Sequence, residues 1–167
     1  MFTPGGGRAV FDVLRTLESA IPESYGVAKK AKLVGVRVLN CQGTGSTSQI
    51  VAGMDWVARN ARKPAVANMP LGGGSDRAMD DAAQGAINAG IPVAVAAGND
   101  NRDACDTSPA RLPAAITLGS TDSNDGRSSF SNHGRCPDLF APGGSIVSTR
   151  MGGGTQTMSG TSMATCG

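Results

Sequence analysis

The chain has 167 residues, enough for one ordinary domain, and its 40% hydrophobic and 17% charged residues support a buried core and argue against disorder. A net charge of +2, from 15 basic and 13 acidic side chains with no Lys/Arg run, excludes a nucleic-acid footprint. No apolar stretch approaches the roughly 18–20 residues of a membrane span, so a soluble protein without a membrane partner is expected. Glycine is unusual at 24 residues, about twice its ordinary share, while aromatics are only 4%. The glycines cluster (residues 5–7, 72–74 and 152–154) without a fixed period, which excludes collagen-like repeats and points to tight turns and close backbone approaches.

In chain order, residues 1–24 stand apart. A short helix over 11–20, ending before Pro22, has no strand ahead of it, and no basic stretch followed by an apolar core marks a secretory signal. The role of this segment is unassigned. From residue 32 the pattern alternates. KLVGVRVL (32–39) is apolar and β-branched, as in a buried strand. Ile50, Val51, Met54, Val57, Ala58 and Ala61 then recur at helical spacing, with Ser46 to Ser48 available as an N-cap. AVANM (65–69) predicts a second strand. Ser75 and Asp76 open a second helix with an apolar face of Ala78, Met79, Ala82, Ala83, Ala86 and Ile87, stopped by Gly90. IPVAVAA (91–97) and AAITLGS (114–120) predict two more strands. This alternation is the mark of an α/β fold with a parallel sheet and crossover helices, in which ligands gather at the carboxyl ends of the strands. Three such ends carry Gly43-Thr44-Gly45-Ser46, Leu71-Gly72-Gly73-Gly74 and Ala97-Gly98-Asn99, so a site on one edge is expected.

The last stretch, GTQTMSGTSMATCG (154–167), puts Ser162 after a tight turn at the start of a predicted helix. Free backbone N–H groups there suit an oxygen that becomes negative in acyl transfer, and they equally suit a serine that merely caps a helix. Context bears on the choice. GTSMAT, with SFSNHG and DLFAPG before it, AAGND at 96–100 and YGVAKKAKLVGVRVL at 25–39, resembles the subtilisin-like serine proteases, closest to the proteinase K branch. The resemblance runs from Tyr25 to Thr165 and implies a partial subtilisin-like peptidase domain over 25–167. Its fold would be three layers, a mostly parallel sheet flanked by helices.

The resemblance implies the following roles. Ser162 matches the nucleophile of a peptide-bond hydrolase working through an acyl-enzyme, and Asn99 the side-chain amide that donates to the oxyanion. Gly43, Thr44 and Gly45, with Pro70, Leu71 and Gly72, match the two segments that pair with the backbone of a peptide or protein substrate. The family has Ser where Pro70 stands, so a hydroxyl and an N–H are lost there. Cys105 and Cys136 match a disulfide of secreted members. Asp138, with the carbonyls of Pro113 and Ala115, matches a structural Ca²⁺ site, and no cofactor serves the chemistry. Asp122 and Asp125 are read as solvated turn residues. A secreted monomer is expected.

The departures matter as much. The family carries Asp, then His in an HGTH motif, then Ser; ahead of YGVAKK this chain has FDVLRTLESAIPES, without histidine, and Asp12 lacks a DTG-like setting. The single histidine, His133, is read as a surface residue. Cys41 matches a half-cystine whose partner is missing, Cys166 stands where the family has Pro, and no C-x-x-C spacing suggests a metal. Loss of a family strand is expected to deprive segments 32–39 and 91–97 of pairing. Together these features predict a protease fragment inactive alone. The alternative is a non-catalytic peptide-binding protein using the same edge. A nucleotide-binding domain is disfavoured, since neither G-x-G-x-x-G nor G-x-x-x-x-G-K-[ST] occurs.

Overall fold

A computed structural model describes residues 34–40, 42–150 and 153–165. The expectations for residues 1–24, for Tyr25 to Lys32, and for Cys41 and Cys166 lie outside the described residues. The elements run α1 (Thr47–Asn60), β1 (Ala67–Met69), β2 (Gly73–Gly74), α2 (Arg77–Asn88), β3 (Val93–Ala96), a 3-10 turn (Ala104–Asp106), β4 (Thr107–Ser108), β5 (Ile116–Thr121), β6 (Leu139–Pro142), β7 (Ile146–Thr149), β8 (Thr155–Met158) and α3 (Thr161–Ala164). A four-stranded parallel sheet has the order β1-β3-β5-β6, while β2 with β4 and β7 with β8 form two antiparallel pairs.

Both long helices begin where their caps dictate. Ser46 accepts from the Gln49 N–H while the Gln49 side chain accepts from the Ser46 N–H, a reciprocal capping box. Asp76 caps α2 by accepting from the N–H groups of Ala78 and Met79. Of the predicted apolar face of α2, Met79, Ala82, Ala83 and Ala86 are buried and Ile87 is half-buried, whereas Ala78 is exposed, since it lies at the solvent-facing start of the helix. Ile50 and Met54 of α1, those four residues, Met69, Val93 and Val95 of the sheet, and Val36 and Val38 form one core. No helix among the described residues is long and apolar enough to cross a membrane.

Two expectations are corrected. Residues 34–40 form no strand: Val36 and Val38 are buried, Val34 and Arg37 exposed, but no ladder partner flanks them among the described residues. Period-2 burial survives because those valines pack into the helix-sheet core, which needs no hydrogen-bonded neighbour. Segment 91–97, by contrast, loses no pairing, because β3 bonds to β1 on one side and β5 on the other. β1 is the terminal strand instead.

The start of α2 is also tied to α1, since Thr47 Oγ1 donates to Asp76 Oδ2 at 2.6 Å. That hydroxyl first, then the Met79 N–H, holds the Asp76 carboxyl below its ordinary range; the Ala78 N–H and the Arg111 charge add to this and desolvation opposes it. A carboxyl depressed in the folded state contributes stability that is present above the unfolded value of 3.8 and lost as pH falls through the folded value. Thermal melts across acid pH should therefore show the parent more stable than D76N at neutral pH, with the gap closing below the folded value. A gap that stays constant with pH would contradict this.

Candidate active site

The sheet delivers the site by ending. Where β3 stops, the chain turns through Gly98, whose φ of +105° favours glycine, and reaches exposed Asn99. Where β1 stops, Pro70, Leu71 and Gly72 lead into β2, whose pairing with β4 anchors that segment. On the opposite side, Asn40 organises the Gln42–Thr44 turn: its Oδ1 accepts from the N–H groups of Gln42 and Thr44, each at 3.0 Å. A Cβ on Gly45 would lie 2.4 Å from the Val38 carbonyl oxygen, so only glycine allows that approach before α1.

Gly43, Thr44, Gly45, Pro70, Leu71, Gly72, Asn99 and Ser162 line one cleft of about 520 Å³. Gly98 of the expected edge lines it too, as do Leu39, Asp100, Arg102, Thr107 and Thr161, to which the sequence assigned no role in it. The backbones of Gly45 and Leu71 make no hydrogen bond to another described residue, so both walls present unused main-chain groups.

Thr161 connects the two halves of the site. Its N–H and its hydroxyl both donate to Asn99 Oδ1, at 2.8 and 3.0 Å. A backbone N–H only donates, so Oδ1 must face Thr161 and Nδ2 must point the other way. Among the described residues Asn99 Nδ2 has no acceptor. The fully buried Thr161 hydroxyl also accepts from the Gly98 N–H at 3.2 Å, which fixes its own direction. A Cβ placed on Gly160 would sit 3.7 Å from the Ser162 nitrogen and 3.8 Å from Asn99 Nδ2. Both nitrogens therefore lie within 4 Å of one point beside Gly160, where Met163 Sδ comes to 3.4 Å. The Ser162 hydroxyl itself donates to the Pro70 carbonyl at 2.9 Å.

The remaining residues fall elsewhere. His133 is exposed, does not line the cleft, and bonds through its backbone to Arg102 and Ala104. Cys105 and Cys136 are joined, with Cα atoms 5.4 Å apart. Asp138 Oδ2 accepts from the Thr117 N–H at 2.7 Å, which brings its carboxylate to the β5 start, close in sequence to Pro113 and Ala115. Its second oxygen takes no hydrogen bond among the described residues. There is no cluster of three or more metal-ligating side chains among them, so a cation at this place would draw on carbonyls and water besides one carboxylate. Asp125 lies in a turn, but Asp122 accepts from the buried Ser128 hydroxyl at 2.6 Å, so it is more than a solvated residue.

Taken by geometry, this is an α/β fold with a serine-centred site at its strand ends. Residues 14–166 match the model of the subtilase family, and the chain belongs to that family, in its proteinase K-like branch. It is 62% identical over 144 residues to an extracellular serine proteinase of Thermus sp. (strain Rt41A), covering 85% of this chain and 35% of that protein. It is 60% identical over 141 residues to alkaline serine exoprotease A of Vibrio alginolyticus, covering 84% of this chain and 26% of that one. A cold-adapted subtilisin-like serine proteinase of known structure superposes with a TM-score of 0.83 at 61% identity, over 84% of this chain and 51% of the other. The chain thus spans about half of that solved chain and smaller shares of the two sequence relatives.

Replacing the Thr161 hydroxyl by a methyl in T161V leaves the half-buried Gly98 N–H without this acceptor. Urea denaturation should register a loss of about 1–3 kcal/mol. An unchanged midpoint would show that the hydroxyl does not carry this contact.

Proposed function

We propose that the chain carries the nucleophile and oxyanion side of a serine endopeptidase site, with Ser162 attacking a peptide carbonyl and Asn99 Nδ2 and the Ser162 N–H receiving the oxyanion. Gly43, Thr44 and Gly45 form one wall for an extended peptide or protein substrate, and Pro70, Leu71 and Gly72 the other. The observation that supports this reading is the pair of bonds from Thr161 that faces Asn99 Oδ1 toward Thr161 and leaves Nδ2 as the outward donor, with that nitrogen and the Ser162 nitrogen both near Gly160. Turnover by this chain alone is negligible. Serine attack needs a base within about 2.6–3.2 Å of the hydroxyl; the Ser162 hydroxyl donates to the Pro70 carbonyl at 2.9 Å. His133, the single histidine, is outside the cleft lining.

The test is hydrolysis of a chromogenic peptide by purified chain beside S162A. Equal, background rates are expected. Hydrolysis that S162A abolishes would overturn the claim of negligible turnover. A non-catalytic peptide-binding role is the second reading, favoured by the unused backbone groups of Gly45 and Leu71. It predicts peptide binding that is indifferent to Asn99→Ala, even for a ligand that carries a tetrahedral anion.

A structural calcium ion held by Asp138 and the carbonyls of Pro113 and Ala115 belongs to the same reading; it would brace the β5 start and take no part in the chemistry. Calcium at a hundred times its dissociation constant would add about 2.7 kcal/mol to the folded state, which is roughly 5–10 °C in Tm for a chain of this size. That shift should appear in the parent and vanish in D138A. An equal shift in both, or none in the parent, removes the site. Export as a monomer fits too, because a disulfide persists in an oxidising compartment and the Thermus relative is named extracellular.

A further inference from the structure

The turn that presents Asn99 is held from behind by a residue outside the cleft. Asn132 is fully buried, and all three hydrogen bonds of its side chain go to the backbone of that turn. Its Nδ2 donates to the Ala97 carbonyl at 2.9 Å, while its Oδ1 accepts from the Asp100 N–H at 3.0 Å and the Arg102 N–H at 3.1 Å. Its own N–H donates to the Gly98 carbonyl at 2.9 Å. The bonds thus fall on the residues either side of Asn99 and never on Asn99 itself. The fit is close: a Cβ on Gly98 would lie 2.3 Å from Asn132 Nδ2.

Asn132 is in turn anchored. Ser131 Oγ donates to the Asn132 carbonyl at 3.0 Å and accepts from the Ser120 N–H of β5 at 3.0 Å. The turn is therefore tied to β5 of the central sheet through a buried polar path. Thr161 decides which way the Asn99 amide faces, but only the turn decides where that amide stands. An oxyanion donor displaced by about 1 Å can cost on the order of 100-fold.

We propose that Asn132 is the positioning residue for the Asn99 donor. The inference rests on the oxyanion role proposed for Asn99 and Ser162. It assigns a specific effect to a residue that touches neither the cleft nor a substrate.

The experiment compares two ligands on the full chain: a peptidyl boronic acid and the same peptide ending in a carboxamide. The Ser162 oxygen adds to boron, its proton passes to buffer, and the tetrahedral boronate places an anionic oxygen between the two donors. The carboxamide reads the cleft walls alone. N132L, which keeps the branched outline of the side chain and removes all three bonds, should weaken the boronate about 10–100-fold and move the carboxamide less than about 3-fold. The N99A/N132L pair should be no weaker than N99A, because Asn132 acts through Asn99. N132D, which retains both acceptor bonds, should recover part of the loss and covers the case in which N132L does not fold. Equal weakening of both ligands, or effects that add fully to N99A, would overturn the proposal and leave Asn132 a merely structural residue. If the parent binds the boronate no better than the carboxamide, the oxyanion reading fails instead. The ¹⁵N resonances of the Asn99 side-chain amide then decide: a shift in N132D beside unmoved α1 resonances supports positioning, and no shift refutes it.

Discussion

The interaction on which the site depends is the double donation from Thr161 to Asn99 Oδ1. Asn99 is exposed, and an exposed amide left to itself samples several rotamers in either sense. Each bond contributes about 0.5–1.5 kcal/mol net, so the two together bias the amide by roughly 5-fold to 150-fold. That bias is enough to convert a mobile polar side chain into a fixed donor. It also joins two distant stretches of sequence, the turn after β3 and the first residue of α3, into one unit. Where Ser162 goes, Asn99 is therefore obliged to follow.

The composition explains how such a unit is accommodated. A core poor in aromatics and lined on α2 by Ala82, Ala83 and Ala86 lets a helix lie close to a thin sheet. The Gly-rich strand ends then bring backbone to the surface of the cleft in place of side chains. Recognition through main-chain groups depends little on the sequence of the bound chain. The same glycines leave little side-chain bulk to hold the turns, and the load passes to buried polar residues such as Asn132 and Ser131.

Much of the scaffold was legible. Caps and 3.6-residue spacing located α1 and α2 to within a residue or two, because Ser46 and Asp76 act locally. Four apolar runs marked segments that lie in the core, yet periodicity assigns a face and never a partner; residues 34–40 kept the face and lack the ladder. The short pairs β2 with β4 and β7 with β8 carry no apolar alternation, since Gly73, Gly74 and the threonines of β8 need only backbone bonds to pair. Ser162 and Asn99 were visible through family resemblance. Thr161 and Asn132 sat inside the quoted strings GTSMAT and SFSNHG without a role, because a short polar residue in a motif does not announce what its side chain reaches.

Holding a reacting group and activating it are separable physical tasks, and the Pro70 carbonyl holds the Ser162 hydroxyl. Sites of this kind stripped of their triad keep about 10³–10⁴-fold over water from oxyanion donors and binding alone. Against the slow spontaneous hydrolysis of a peptide bond, that residue of catalysis falls below what a chromogenic assay resolves. The bond from Ser162 to the Pro70 carbonyl is consistent with this: the carbonyl orients the hydroxyl but cannot accept its proton in the way an imidazole does. Proline at position 70 has no N–H to offer, yet its carbonyl remains and accepts from the Ser162 hydroxyl. Positioning a nucleophile and removing its proton thus draw on different groups.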